Sequence, residues 1–276
     1  PKKKGNTNLK QRLLSAIILG PLLLLLVKGG NWTFLVLILG ISARSAWEWC
    51  VICRNAGYKP NHFLSILTAM GLVFCVHSAG ISLLYLYICI ATILLFAISL
   101  INGTKNYLSN AVMGIGTMMY AGILGSTPLA IVRYVGEQNS SYNLIIALFF
   151  CIWLTDSFAY FFGRKWGKRT FAPEISPNKT VVGVLGGIIG SVVPMIFFPY
   201  LPELAPTVLL GMFMVAGIAG QVGDLVESAM KRDMGNIKDS PALIPGHGGM
   251  LDRFDSYFFA FPVAYIYLEI IAIFGF

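Results

Sequence analysis

The polar chemistry of this chain is concentrated between Ser228 and Asp255. Lys231, Arg232, Asp233, Lys238, Asp239, His247, Asp252, Arg253 and Asp255 all fall there, in a sequence that is otherwise largely apolar. Carboxylates interleaved with Lys, Arg and His beside the turn Pro245-Gly246-His247-Gly248-Gly249 suit a metal ion and phosphate groups. Just upstream, Asp224, Glu227, Ser228 and Lys231 follow the spacing i, i+3, i+4, i+7. In a helix that spacing puts all four on one face. The plainer reading of such a stripe is a solvated face. Asp252, Asp255 and Ser256 repeat i, i+3, i+4 at the start of the last apolar run. Two carboxylate-bearing helix ends facing each other would hold a hard cation through oxygen ligands. The candidate ligands are Asp224 and Asp252, with Asp255 as a third. Oxygen-rich surroundings favour magnesium over zinc, alone or with a second cation. His247 can donate to a phosphate or transfer a proton.

Two further polar stretches belong with this one. Asp156 lies inside an apolar run with Tyr160 four residues on. A carboxylate in such a place is costly, and is either functional or paired with a Lys or Arg. Ser176-Pro177-Asn178-Lys179-Thr180 precedes another apolar run. It reads equally as simple helix initiation or as a phosphate site at a helix N-terminus. The Walker A pattern is absent. Cys50 and Cys53 form a C-x-x-C without a second ligand pair at zinc spacing, so they read as small hydrophobes.

The elements that must position these residues follow from composition. The chain has 276 residues, 57% of them hydrophobic and 12% charged, with a mean hydropathy of +0.75. Soluble domains carry about 25% charged residues. The expectation is an all-α, polytopic integral membrane protein forming a single transmembrane domain over 1–276. Helices of 1–140 would form its first part, and 141–276 would carry the motifs. Nine apolar runs are candidate spans: 13–27, 31–43, 62–78, 81–101, 111–132, 142–161, 181–200, 206–222 and 256–274. A span needs roughly 20 residues. The first two runs are short, which suits a tight helical hairpin or a re-entrant pair. The first reads as a retained span rather than a cleaved signal peptide.

With the N-terminus in the cytosol, 18 of the 20 Lys and Arg residues fall on the inside. Only Lys28 and Arg133 fall outside. By the positive-inside rule the polar stretches then face the cytosol and the C-terminus faces out, as in a bacterial-type inner membrane. The net charge of +8 reads as topology signals and contacts with anionic membrane lipids, not as nucleic-acid binding.

The same residues carry a family resemblance. Ser228, Lys231, Arg232, Lys238, Asp239, Ile244, Pro245, His247, Gly248, Gly249, Asp252, Arg253 and Asp255 occur in order. That tract resembles the signature of phosphatidate cytidylyltransferases, with one extra residue between Arg232 and Lys238. Gly223-Asp224-Leu225 with Glu227-Ser228, Ser176-Pro177-Asn178-Lys179-Thr180, and Asp156 with Ala159-Tyr160 and Gly163-Arg164 resemble further elements of that family. Ala46-Trp47-Glu48-Trp49 resembles an early element, with no role attached to it. Phe158 stands where the family usually has Gly, and Val182 where it often has Glu or Gln.

The resemblance implies condensation of CTP with phosphatidate to give CDP-diacylglycerol and pyrophosphate. It implies metal ligation by Asp224, Asp252 and Asp255. Lys179, Lys231, Arg232, Lys238 and Arg253 would contact phosphates, and Ser176 would bind substrate. Asp156, Glu227, Ser228 and His247 would orient substrate or a water. The chemistry fits the residues, because magnesium and basic side chains offset the repulsion between two anionic substrates. Two rival readings are a CTP-dependent lipid kinase and a transporter whose pathway is lined by Asp156. No inverted repeat supports the transporter. A homodimer is compatible with every one of these readings.

Overall fold

The computed structural model describes residues 18–80, 82–136, 139–198, 201, 204–235 and 248–275. Each apolar run is helical over most of its described residues. In order come α1 (Ile18–Lys28), α2 (Asn31–Asn55), α3 (His62–Ala79), α4 (Leu84–Ser99), α5 (Tyr107–Thr117), α6 (Gly125–Val135), α7 (Asn139–Trp166), α8 (Val181–Val192), α9 (Pro194–Phe197), α10 (Pro206–Asp233), α11 (Leu251–Phe254) and α12 (Tyr257–Phe274). A π-helical turn, Met118–Leu124, joins α5 to α6. Six helical segments are long and apolar enough to cross a membrane, while Ile18–Lys28, Leu84–Ser99 and Val181–Phe197 are shorter apolar helices. This is a multi-pass, nearly all-helical membrane architecture. Large apolar side chains such as Phe63, Tyr85 and Ile101 stand on its outer surface, as lipid contact requires.

The fold departs from all-α at one place. β1 (Thr170–Ala172) and β2 (Ser176–Thr180) pair antiparallel, with Thr170 opposite Thr180 and Ala172 opposite Ser176. Ser176 precedes a proline, which disfavours helical backbone there. The strand ends where Thr180 caps α8, its Oγ1 accepting from Gly183 N at 3.1 Å. The stretch 176–180 is thus a strand that delivers a helix cap, rather than the first turn of a helix.

Helix packing without a hydrophobic driving force relies on small residues that let backbones approach. Along α8, Gly183 lies against the carbonyl of Ala159, Gly186 against Phe162, and Gly190 against the Leu154 carbonyl and Phe158. Phe158, the residue that replaces a usual Gly, stacks on Phe162 with centroids 6.0 Å apart and planes at 15°. Gly190 makes the room for it. On α10, a Cβ at Gly223 would lie 2.6 Å from the Asp255 carbonyl oxygen. Only glycine lets α10 meet the α11–α12 junction this closely. One core cluster runs from Val27 to Leu268 and includes Phe149, Ile152, Phe213 and Phe261.

Candidate active site

The polar residues gather where the C-terminal part of α10 meets β2 and the α11–α12 junction. α10 continues beyond its apolar run to Asp233, so Asp224, Glu227, Ser228 and Lys231 are helical and share a face. Two clusters form on that face.

In the first cluster, Lys179 from β2 places its Nζ 2.8 Å from Asp224 Oδ2. The same ammonium donates to the carbonyl of Gln221 at 3.3 Å. Ser228 Oγ donates to Asp224 Oδ1 at 3.4 Å. Asp156 on α7 and Asp255 lie within electrostatic range of Asp224 and of each other.

In the second cluster, Lys231 Nζ bridges Glu227 Oε2 at 2.7 Å and Asp252 Oδ1 at 2.9 Å. The Glu227 side chain is 1% exposed, and those of Lys231 and Asp252 only 12% and 14%. Removing one member of a desolvated ion set like this leaves uncompensated charge, at about 3–5 kcal/mol. Asp252 Oδ2 also accepts from Gly249 N at 3.0 Å. The positive φ of Gly248, 72°, shapes the backbone that makes this contact. Asp255 Oδ1 accepts from its neighbour Ser256 N at 2.6 Å.

The structure therefore brings Lys179, Asp224 and Ser228 together, and separately Glu227, Lys231 and Asp252. Asp156 and Asp255 border the first group. Arg232 and Arg253 are exposed near the same end. Ser176 sits opposite Ala172 in the hairpin, three residues before Lys179. Lys238, Asp239 and His247 lie outside the described residues.

The donor chemistry of Asp156, Asp224 and Asp255 is carboxylate oxygen, which fits a hard cation such as magnesium. Among the described residues, however, no three His, Cys, Asp or Glu side chains converge tightly enough to hold a metal by themselves. Asp224 and Asp252 each carry a lysine ammonium.

Two contributors had no role in the sequence reading. Gln221 supplies a carbonyl to Lys179 and lies one turn before Asp224. Glu48 on α2 accepts from Met250 N at 2.9 Å and Leu251 N at 2.7 Å. Its signal in the sequence was a lone acidic residue just beyond the apolar run 31–43, with Arg44 four residues earlier.

A sequence model of the cytidylyltransferase family matches residues 10–271. The chain belongs to this family. Within it, the chain is similar to proteins named phosphatidate cytidylyltransferase. It is 42% identical over 147 residues to that of Staphylococcus aureus (strain COL), a match covering 50% of this chain and 56% of the relative. To the Staphylococcus saprophyticus protein it is 46% identical over 138 residues, covering 49% and 53%. To the Bacillus subtilis (strain 168) protein it is 47% identical over 139 residues, covering 47% and 49%. The chain spans about half the length of the curated relatives it matches. As a cytidylyltransferase-family protein, it gathers Lys179, Asp224, Glu227, Lys231 and Asp252 at one end of a helical bundle.

Proposed function

We propose that this chain is a membrane nucleotidyltransferase that condenses CTP with phosphatidate, yielding CDP-diacylglycerol and pyrophosphate. The observation that carries the reading is the convergence of two lysine–carboxylate clusters from β2, α10 and α11. They make one polar end on an apolar bundle. Acyl chains can remain in the bilayer while a charged headgroup and a nucleotide meet at that end. The name shared by the relatives points to the same substrates.

In the proposed step a phosphate oxygen of phosphatidate forms a bond to the α-phosphorus of CTP. The bond from that phosphorus to the α,β-bridging oxygen breaks, and pyrophosphate leaves with the electron pair. No strong base is demanded, because the nucleophile is already an anion. The barrier lies in bringing anions together, so fixed cations contribute most where charge develops. Lys179 would face the phosphates from β2, and Arg232, Arg253 and Lys238 would also contact them. Lys231 would act mainly on Asp252, since it is buried between two carboxylates. Glu227 would hold Lys231, and Ser228 and Asp156 would orient Asp224 and substrate. Ser176 and His247 remain candidates for substrate contact. Magnesium would be held by Asp224 and Asp255 with Asp252, and would neutralise phosphate charge and polarise the phosphoryl oxygens. Lys179 would then exchange its carboxylate for a phosphate.

The proposed topology uses all nine apolar segments, with the three short helices completing the count. The N-terminus and the polar end face the cytosol, supported by the 18-to-2 distribution of basic residues. Purified protein in lipid nanodiscs with phosphatidate, CTP and magnesium tests the reaction. The expected result is CDP-diacylglycerol and pyrophosphate in equal amounts, stopped by EDTA and restored by magnesium. Nucleotide consumption without pyrophosphate would reject the reading.

A further inference from the structure

Before Glu137 the sequence holds a single acidic residue, Glu48. It lies on α2, and its side chain is fully buried, 0% exposed. A carboxylate at such a position is stable only with partners. Arg44 Nε donates to its Oε1 at 2.7 Å, and the Arg44 guanidinium lies over the Trp47 ring at 4.2 Å. Its remaining partners come from 202 and 203 residues away: Met250 N donates to Oε1 at 2.9 Å and Leu251 N to Oε2 at 2.7 Å.

These amides belong to the turn that opens α11, where backbone N–H groups have no partner within the helix. Gly249 N, immediately before them, is taken by Asp252 Oδ2. Three consecutive N–H groups are therefore held by two carboxylates, one from α2 and one from α11. The backbone they fix is the one that presents Asp252 to Lys231.

We propose that Glu48 is a positioning residue for the reaction proposed above, on which this inference rests. It docks the Gly248–Leu251 turn onto α2 and so sets Asp252 and Arg253 in place without touching substrate. An error of about 1 Å at a reacting centre can cost on the order of 100-fold in rate, so a remote clamp on this backbone can govern turnover.

Glu48→Gln tests this. Both oxygens of Glu48 accept backbone N–H groups, and glutamine keeps the shape but retains one acceptor. At least one amide of Met250 or Leu251 is then left facing an NH₂ group. The expected result is a kcat lower by roughly 10–100-fold. KM for CTP and for phosphatidate should change by less than about threefold, because no substrate contact is lost. Amide hydrogen exchange over residues 249–252 should be faster by at least about tenfold, with α7 and α10 unchanged.

Met250→Pro removes one donor from the other side. Met250 has φ −66°, which proline adopts. It should give the same fall in kcat, and it stands in if Glu48→Gln does not fold. Wild-type kcat in either variant overturns the proposal. So does a fall in kcat without faster exchange in the turn, or faster exchange spread over the whole bundle. A wild-type protein that turns over nothing, yet shows the local exchange contrast, would reject the proposed function and leave the docking of the turn intact.

Discussion

Hydroxyls bond back to their own helices in both halves, as Thr155 does to Cys151 O, but the helices up to Val135 and those from α7 onward differ in how charged groups pair between elements. In the first region, side-chain hydroxyls bond back to their own helix: Thr68 to Leu64 O, Ser99 to Leu95 O and Thr117 to Met113 O, each at 2.8 Å. Contacts between elements there go to backbone atoms or to uncharged side chains, as when Lys59 N donates to Asn110 Oδ1 at 2.7 Å. In the second region, charged side chains pair with charged side chains across elements, Lys179 with Asp224 and Lys231 with Asp252. A hydroxyl that bonds its own i−4 carbonyl is self-sufficient and tells nothing of function. A largely desolvated ion pair across elements, such as Lys231 with Asp252, is expensive, and the proposed chemistry is placed beside it. Glu48 is the exception that ties the first region to the second.

The largest effect should come from the second region. Asp224→Asn keeps the volume but removes the charge that Lys179 pairs with and that magnesium is proposed to need. Turnover should fall by on the order of 100–1,000-fold or more, with the protein still folded and membrane-inserted. Near-normal turnover at limiting magnesium would erase the contrast between the regions.

Next is Lys231→Met, which strands Glu227 and Asp252 without their cation. A loss of about 3–5 kcal/mol is expected, read as a lower midpoint in a reversible unfolding titration in detergent. Adding Glu227→Gln should recover part of it, because one of the two uncompensated carboxylates is gone. Equal stability of the single and double variants would show that the cluster is not coupled.

The smallest effect should come from the first region. Ser99→Ala removes a back-bond within α4 and should shift stability by no more than about 1 kcal/mol, with turnover unchanged. A large loss of turnover would mean that the first region does more than scaffold.

Much of this arrangement was legible in the sequence, for identifiable reasons. The stripe Asp224, Glu227, Ser228, Lys231 could be placed on one helix face, because helical periodicity survives past the end of an apolar run. The nine apolar runs were visible, but composition does not show where a helix stops. α7 and α10 run on to Trp166 and Asp233 through polar residues, and a break at Val193, just before Pro194 opens α9, separates α8 from α9. The β1–β2 hairpin was not legible. Five residues of strand carry too little alternation, and Ser-Pro-Asn before an apolar run looks like helix initiation. Lys179 and Asp224 each stood out, but their pairing depends on how β2 packs beside α10. Glu48 could be seen as an isolated acid, yet its partners are backbone amides 202 and 203 residues away, which no local pattern encodes. Phe158 stood out as a departure, and the space that receives it is made by Gly190 on another helix.

The central claim is that the clustered charges of the second region transfer a nucleotidyl group to a lipid phosphate. Supplying phosphatidate, magnesium and CTP labelled at either the α- or the γ-phosphate tests it most directly. Attack on the α-phosphorus carries cytidine and the α-phosphate into the lipid phase. The account predicts lipid-soluble label from α-labelled CTP alone, with the γ label recovered in pyrophosphate. Label entering lipid from the γ position would identify a kinase and contradict the account, as would no transfer from either position by folded protein.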